Sequence, residues 1–154
     1  MAAVRSAPVT PSSAEPVAPT ELLGEWDLAR RIVDRRAPGG RQHGRVHGTL
    51  TLTRTGSDEV RWHEHGTLTW AGRELEVFRT LLVRRDERGW MVHFEDGRQF
   101  HPWRPGATVT HPCRADTYRG VVDVRADRRV LRVLWDVTGP SKDARLFTRC
   151  VRRG

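Results

Sequence analysis

Hydrophobic and polar residues alternate with a period of two in short segments from Trp26 to the end of the chain. Such alternation is typical of β-strands that bury one face. Turn-forming stretches rich in Gly, Pro and Asp separate the segments. The predicted strands are residues 26–33, 45–54, 59–65, 67–70, 74–84, 90–94, 108–113, 118–125, 129–138 and 145–152.

Short connections between nearly all of these segments favour hairpins and an antiparallel, meander-like sheet. A sandwich is the alternative, but every segment keeps one apolar face and no long crossover is visible. We therefore predict an all-β protein, an up-and-down β-barrel of about 8–10 strands. Thr20 is expected to cap a short helical turn that closes one end before Gly24 ends it. Residues 20–154 form the predicted barrel domain, and residues 1–19 are predicted to be a disordered tail rich in Pro, Ala and Ser.

The composition limits the classes of function. The chain has 154 residues, a net charge of +8 and 27 basic residues, of which only Lys142 is a lysine. The arginines are spread along all strands, so nucleic-acid binding has little support, and an almost lysine-free chain is more typical of a GC-rich genome. No apolar stretch approaches a membrane span or a signal peptide, which predicts a cytoplasmic protein. Cys113 and Cys150 are then expected to be free thiols, and no C-x-x-C pair suggests zinc.

Several motifs add a resemblance to this pattern. Gly24-Glu25-Trp26, after a short helical turn, resembles the Gly-x-Trp entry of lipocalin-like (calycin) barrels, in which the Trp closes one end. The strings from Phe94 to His101, His111 to Tyr118 and Trp135 to Asp143 are similar to an uncharacterised bacterial and fungal family of such barrels. The resemblance covers roughly residues 22–152. It implies a barrel with a set of polar positions and no established activity.

Glu64 and Arg79 are the first candidate site residues. Strand alternation places both among inward-facing apolar residues on neighbouring strands, so an ion pair between them is expected. The pair can be purely structural, or Arg79 can clamp an anionic ligand while Glu64 orients it or acts as acid or base. The same alternation turns His63 and His65 outward, which favours solvated histidines over a metal site.

A second group of candidates follows the predicted turn at Asp96-Gly97. Alternation places Phe100 on the face opposite His101, while His111 and Cys113 share the inward face of the next strand. A histidine near a thiol, an acid and a phenol can form a catalytic cluster, although these residues can equally cap turns and fill the core. The group consists of Arg98, His101, His111, Cys113, Asp116 and Tyr118.

The lone lysine is the third candidate. Lys142 lies in a turn after the strand that carries Trp135. It can act as an ammonium or Schiff-base amine. The alternative is a structural residue at the barrel mouth that pairs with Asp136 or Asp143, as a basic residue near the last strand covers the entry tryptophan in lipocalin-like barrels.

The sequence leaves three functional classes, of which nucleic-acid binding is the weakest. We expect a small-molecule-binding barrel whose polar lumen suits a polar or anionic ligand. Its ligand-binding candidates are Trp26, Arg79, Arg98, Cys113, Asp116, Trp135 and Lys142. The alternative is a cofactor-independent isomerase, cyclase or lyase that uses His101, His111, Glu64 and Tyr118. No cofactor is required, although a haem with His101 or His111 as axial ligand is a sub-case of the binding barrel.

Overall fold

Ten strands account for most of the chain in the computed structural model, which describes residues 15–154. The strands are β1 Gly24–Asp34, β2 Gln42–Gly56, β3 Glu59–Trp70, β4 Arg73–Asp86, β5 Gly89–Phe94, β6 Gln99–Pro102, β7 Thr108–Cys113, β8 Asp116–Val124, β9 Val130–Thr138 and β10 Asp143–Arg152. The predicted all-β class is confirmed. Two predictions differ in detail. Gly66 does not end a strand, so residues 59–65 and 67–70 form one continuous β3, and the short β6 is absent from the predicted ranges.

Each strand pairs antiparallel with its neighbour in sequence, and β1 also pairs with β10. Only β6 and β7 meet without a hydrogen-bonded ladder. The sheet is therefore a nearly closed up-and-down barrel, as the short connections predicted. In the part of the chain that the structure describes, no helix is long and apolar enough to cross a membrane.

A 3₁₀ helix, Pro19–Leu22, covers one end of the barrel, which we call the helix end. Trp26 is completely buried beneath it and donates a hydrogen bond from Nε1 to the carbonyl of Leu22 (3.0 Å). The predicted cap at Thr20 is wrong. The helix begins one residue earlier, at a proline whose fixed φ suits the first turn, and the Glu21 carboxylate accepts a bond from the Ala18 N–H.

Residues 17–19, which precede the predicted domain boundary at residue 20, already pack against the barrel. Pro19 is buried, and the Val17 carbonyl accepts a hydrogen bond from the Trp103 indole (2.7 Å). Both contacts fasten the segment to the helix end. The predicted tail falls mainly on residues 1–14, which lie outside the described residues.

Two glycines allow β2 and β3 to approach closely at mid-barrel. Gly48 and Gly66 are cross-strand partners. A Cβ on Gly48 would lie 2.1 Å from the backbone carbonyl oxygen of His65. Side chains at this point are excluded by backbone, and the glycines let the two strands pass each other.

The opposite end, which we call the open end, carries the turns that follow β1, β3, β5, β7 and β9. There β4 extends past its partner β5, because the β4–β5 ladder begins only at Leu81. Residues 73–80 consequently pair with β3 alone and leave a free edge. Leu75 is in phase with Arg79, so strand alternation predicts that it faces the lumen. It is instead 54% exposed, because the strand projects beyond the barrel there.

Candidate functional site

A cavity of about 320 Å³ lies inside the barrel near the open end. Strands β4 to β10 supply its walls, because each of them turns alternate side chains inward at this level. The cavity contains most of the residues that strand alternation placed in the lumen. Its lining residues are Arg79, Phe94, Arg98, Phe100, His111, Cys113, Tyr118, Trp135, Val137 and Leu146.

One wall of the cavity is a cluster of aromatic rings. Phe100 stacks on Phe94 with ring centroids 4.5 Å apart and on Trp135 at 5.0 Å. His111 packs against Phe100 at 5.1 Å, and Tyr118 meets Trp135 edge-on at 6.5 Å. Such ring pairs hold one another in place, so this wall is an ordered, apolar surface.

A buried carboxylate lies next to the cavity. Glu64 is only 5% exposed, and it accepts hydrogen bonds from Arg79 Nη2 (2.8 Å) and Trp62 Nε1 (2.9 Å) on one oxygen. Its other oxygen accepts a bond from Arg30 Nη2 (2.8 Å). The predicted ion pair between Glu64 and Arg79 is confirmed, and the two residues are direct cross-strand partners.

Burial opposes ionisation of Glu64, but the charges of Arg79 and Arg30 and the hydrogen bonds to the carboxylate outweigh it. They lower the pKa of Glu64 from 4.5 to about 2. The carboxylate is therefore ionised at neutral pH and fully occupied by donors. This arrangement suits a structural anchor better than an acid or base.

Sequence reasoning missed Arg30 as the second arginine on Glu64. Its Nε donates to the hydroxyl of Thr148 on the neighbouring strand (2.7 Å). A signal was present, because Arg30 is in phase with Trp26 and Leu28, which are both buried. An arginine at that position had to enter the barrel.

Two arginines on one carboxylate leave the buried cluster with a net charge of +1. Arg79 carries this excess toward the cavity, since it lines the cavity and Arg30 does not. Its Nε is buried and has no hydrogen-bond partner. The Arg79 side chain as a whole is 38% exposed, so the cluster presents positive charge to the lumen.

His101 lies deeper in the barrel than the cavity. Phe100 and His101 were expected on opposite faces, but a bulge in the β5–β6 ladder, between Val92 and His93, brings both inside. The ring Nδ1 lies 2.8 Å from the Pro102 carbonyl, and only a protonated nitrogen can donate there. Burial lowers the pKa of His101 to about 4 in spite of this bond. The imidazole is neutral at pH 7.

His101 does not join His111 in one cluster. A void of about 20 Å³, close to the size of one water molecule, lies beside His101 and is lined by Arg79 and Phe100 as well. The centroid of the Phe100 ring lies 4.8 Å from that of His101 and 5.1 Å from that of His111, but only His111 lines the main cavity. The two histidines therefore face different spaces. His111, Cys113 and Tyr118 line the main cavity together, as their phase predicted.

Three other candidates lie at the rim of the open end. Arg98 lines the cavity with its stem but is largely exposed, pairs with Asp96 (2.7 Å) and covers the ring of Phe94. Lys142 donates to Asp116 (2.8 Å), not to the predicted partners Asp136 or Asp143. This bond raises the pKa of Lys142, which keeps the amine protonated and unsuited to Schiff-base chemistry.

The partner of Lys142 could not be predicted from the sequence, because the ion pair joins two turns that are distant in the chain. Asp116 begins β8 and packs against the turn between β9 and β10, where a Cβ on Gly139 would lie 2.0 Å from its carboxylate oxygen. The ion pair fastens the two turns beside the cavity. The two predicted partners of Lys142 form other ion pairs: Asp136 pairs with Arg145, and Asp143 pairs with Arg35.

Trp26 lies at the helix end, apart from the cavity and its lining residues. The basic residue that covers it is Arg152, whose Cζ is 5.4 Å from the indole centroid. Lys142, which the resemblance compared with the basic residue over that tryptophan, lies at the mouth of the open end instead. Sequence reasoning missed Arg152, although it is in phase with the buried residues Thr148 and Cys150 of β10.

His63 and His65 face outward, as predicted. His63 Nδ1 lies 2.9 Å from the hydroxyl of Thr80, and His65 Nε2 lies 2.7 Å from the carboxylate of Glu76. Each ring thus has a partner on β4. The two thiols are free, with Cys150 fully buried and Cys113 half-buried in the cavity wall.

Comparison with known proteins adds a family and little more. The model of a family described as a family of unknown function, DUF6314, matches residues 22–152. No curated protein matches the chain. A solved structure from Nitrosomonas europaea, described provisionally as AttH, is similar at 10% identity and a TM-score of 0.26. The match covers 97% of this chain and 59% of that one, so this chain spans little more than half of that protein.

Proposed function

Since the chain belongs to the DUF6314 family, which has no assigned function, its role has to be argued from the site, and we propose that it binds a small anionic molecule inside the barrel. The ligand's charged group lies against Arg79, and a flat apolar part lies against the aromatic wall. The observation that carries the proposal is the excess positive charge of the cluster formed by Glu64, Arg30 and Arg79.

The charge of the cluster is not balanced by its own residues. Glu64 neutralises one of its two arginines, and the side chain of Arg79 lines the cavity and is 38% exposed. A guanidinium group binds carboxylates through charge-assisted hydrogen bonds. An anion in the cavity supplies the missing charge to Arg79.

The size and walls of the cavity support a ligand of about two fused rings. An engineered protein cavity of roughly 150 Å³ holds benzene, and this cavity measures about 320 Å³. Phe94, Phe100 and Trp135 stack on one another and give the cavity an apolar aromatic wall. A flat ring system with one carboxylate fits both the shape and the charge. The covered tryptophan at the helix end further supports the likeness to lipocalin-like barrels.

The arrangement favours binding over turnover. His101 and His111 line different spaces, and Lys142 is held at the rim by Asp116. Glu64 is already saturated with donors. The polar residues expected to serve an enzyme therefore do not converge on one reacting position, whereas a binding site needs only Arg79 and the rings.

Calorimetric titration with 2-naphthoate and its neutral analogue 2-naphthalenemethanol tests the proposal. We expect the carboxylate to bind at least about tenfold more tightly, since a hydrogen bond to a charged group contributes roughly 1.5–3 kcal/mol. Arg79→Met should abolish this preference. Arg30→Met is the matched control, because it also removes one arginine from Glu64 but leaves the cavity wall intact.

Two results would contradict the proposal. One is equal affinity of the wild-type protein for the acid and the alcohol. The other is an equal loss of carboxylate binding in Arg30→Met and Arg79→Met, which would mean that the whole Glu64 cluster supports the fold and that Arg79 has no direct role. Melting temperatures of both variants show whether each is folded during the titration.

A further inference from the structure

A second site lies on the outside of the barrel, on the face of β2, β1 and β10. A groove of about 380 Å³ runs over Ala29, the smallest side chain in the centre of this surface. His47 and Arg149 are the cross-strand partners of Ala29, and Arg45 and Phe147 are the partners of Arg31 two residues further along β1. The groove forms because the short side chain of Ala29 is surrounded by these longer side chains.

The arginines around this groove have no counterions. Within residues 15–154, the side chains of Arg31, Arg45 and Arg149 form neither a hydrogen bond nor an ion pair. This sets them apart from most arginines on the outer surface. The three guanidinium groups and the imidazole of His47 surround one hollow.

The acids on the surrounding outer surface are already used. Asp27, two residues before Ala29, pairs with Arg153 (2.8 Å). Asp136 on the neighbouring strand pairs with Arg145 (2.7 Å). Arg153 also pairs with Glu25 (3.1 Å). These carboxylates are therefore engaged with arginines outside the groove, and the groove itself keeps its positive charge.

The spacing of the arginines suits a single tetrahedral anion. Cross-strand neighbours have Cβ atoms about 4.5–5.5 Å apart, and residues i and i+2 on a strand lie about 6.6 Å apart. Arg31 and Arg45 are related in the first way, and Arg149 lies one diagonal step from Arg31. Guanidinium groups bind phosphate oxygens two at a time, so two or three of these side chains can reach one phosphate.

Phe147 adds an apolar contact at the edge of the groove. Its side chain is 40% exposed on a strand whose other outward residues are mainly arginines. Like charges on adjacent strands repel one another and destabilise the sheet, so a bound anion would stabilise this face. The exposed ring of Phe147 offers such a ligand an apolar contact. We propose that this groove binds a phosphate monoester, with the phosphate between Arg31, Arg45 and Arg149 and the organic group against Phe147.

The site can be tested with phenyl phosphate and inorganic phosphate, followed by NMR of the arginine Nε–H groups. Both ligands should shift the Nε–H signals of the groove arginines, and phenyl phosphate should bind several-fold more tightly. Arg31→Gln and Arg149→Gln should each weaken both ligands about tenfold. Arg73→Gln removes the same charge from an exposed arginine of the β3–β4 hairpin and should have little effect.

A second variant separates the two halves of the proposal. Phe147→Ser should remove the advantage of phenyl phosphate and leave inorganic phosphate unchanged. Equal losses in Arg31→Gln and Arg73→Gln would overturn the site, since they would show only a response to net charge. Binding of a single-stranded oligonucleotide without binding of phenyl phosphate would also overturn it in favour of an extended polyanion. Arg79→Met should not affect phosphate binding, so this result is independent of the lumen ligand.

Discussion

Replacing Glu64 by Gln should make the barrel less stable by an amount that depends on pH. The substitution keeps the side-chain shape but removes the charge that holds Arg30 and Arg79. The buried guanidinium group of Arg30 and the partly exposed one of Arg79 are then left without a counterion. Removing one partner of a buried ion pair typically costs about 3–5 kcal/mol.

The pKa of Glu64 gives a second measure of the same contribution. A fall from 4.5 to about 2 corresponds to about 3 kcal/mol, at roughly 1.4 kcal/mol for each pKa unit. Because the folded-state pKa is the lower one, this stabilisation is complete above about pH 4.5 and is lost as the pH falls toward 2. At pH 2.5 only about 1 kcal/mol should remain.

Urea unfolding of the wild-type and Glu64→Gln proteins at several pH values between 7 and 2.5 measures this difference. The gap between their free energies of unfolding should shrink from about 3 kcal/mol to about 1 kcal/mol. Glu59→Gln is the control, because its partner Arg84 is partly exposed and the pair should contribute less than about 1 kcal/mol.

A gap that stays constant from pH 7 to pH 2.5 would refute the reasoning. It would mean that the variant loses packing or hydrogen bonds that do not depend on the charge of Glu64. A gap at pH 7 no larger than that of Glu59→Gln would also refute it, since the buried cluster would then contribute no more than a surface pair.

Three further predictions concern the fold and the thiols. Arg152→Leu removes the cation over Trp26 and should lower the free energy of unfolding by about 1–2 kcal/mol in urea titrations, since desolvated cation–π contacts reach that size; an unchanged midpoint would contradict it. Gly48→Ala places a methyl group within 2.1 Å of backbone and should prevent soluble expression or cost at least about 3 kcal/mol, whereas wild-type stability would show that the strands can separate freely. Cys113 should react with a chromogenic disulfide in the folded state, and Cys150, whose pKa burial raises to about 12, should react only on unfolding. Two fast thiols would contradict that assignment, and 2-naphthoate should slow the reaction of Cys113.

Strand alternation was enough to predict the inward residues of regular strands. It placed Glu64 opposite Arg79 and put His111 and Cys113 in the lumen wall, because a strand that is regularly paired leaves no other orientation. Arg30 was within reach of the same argument. The resemblance to an uncharacterised family agrees with the family match.

The remaining features depend on contacts between distant parts of the chain. His101 enters the barrel only because a bulge shifts the register of β6, and alternation within one strand cannot reveal a bulge. The pairing of Lys142 with Asp116 requires that two turns meet after the barrel has closed. The groove arginines Arg31, Arg45 and Arg149 are visible as a group only once β1, β2 and β10 lie side by side.

The free edge of β4 affects how a ligand reaches the lumen. Arg79 lies in the stretch of residues 73–80 that is hydrogen-bonded to β3 alone, so the proposed contact with the ligand is made from the least secured part of the wall. Segments with few cross-strand bonds open locally at a small fraction of the global unfolding energy. The barrel can therefore admit a molecule sideways, through breathing of this strand, while Trp26 keeps the other end shut. Amide exchange in the stretch should slow when the lumen is occupied, because the bound state holds β4 from the inside.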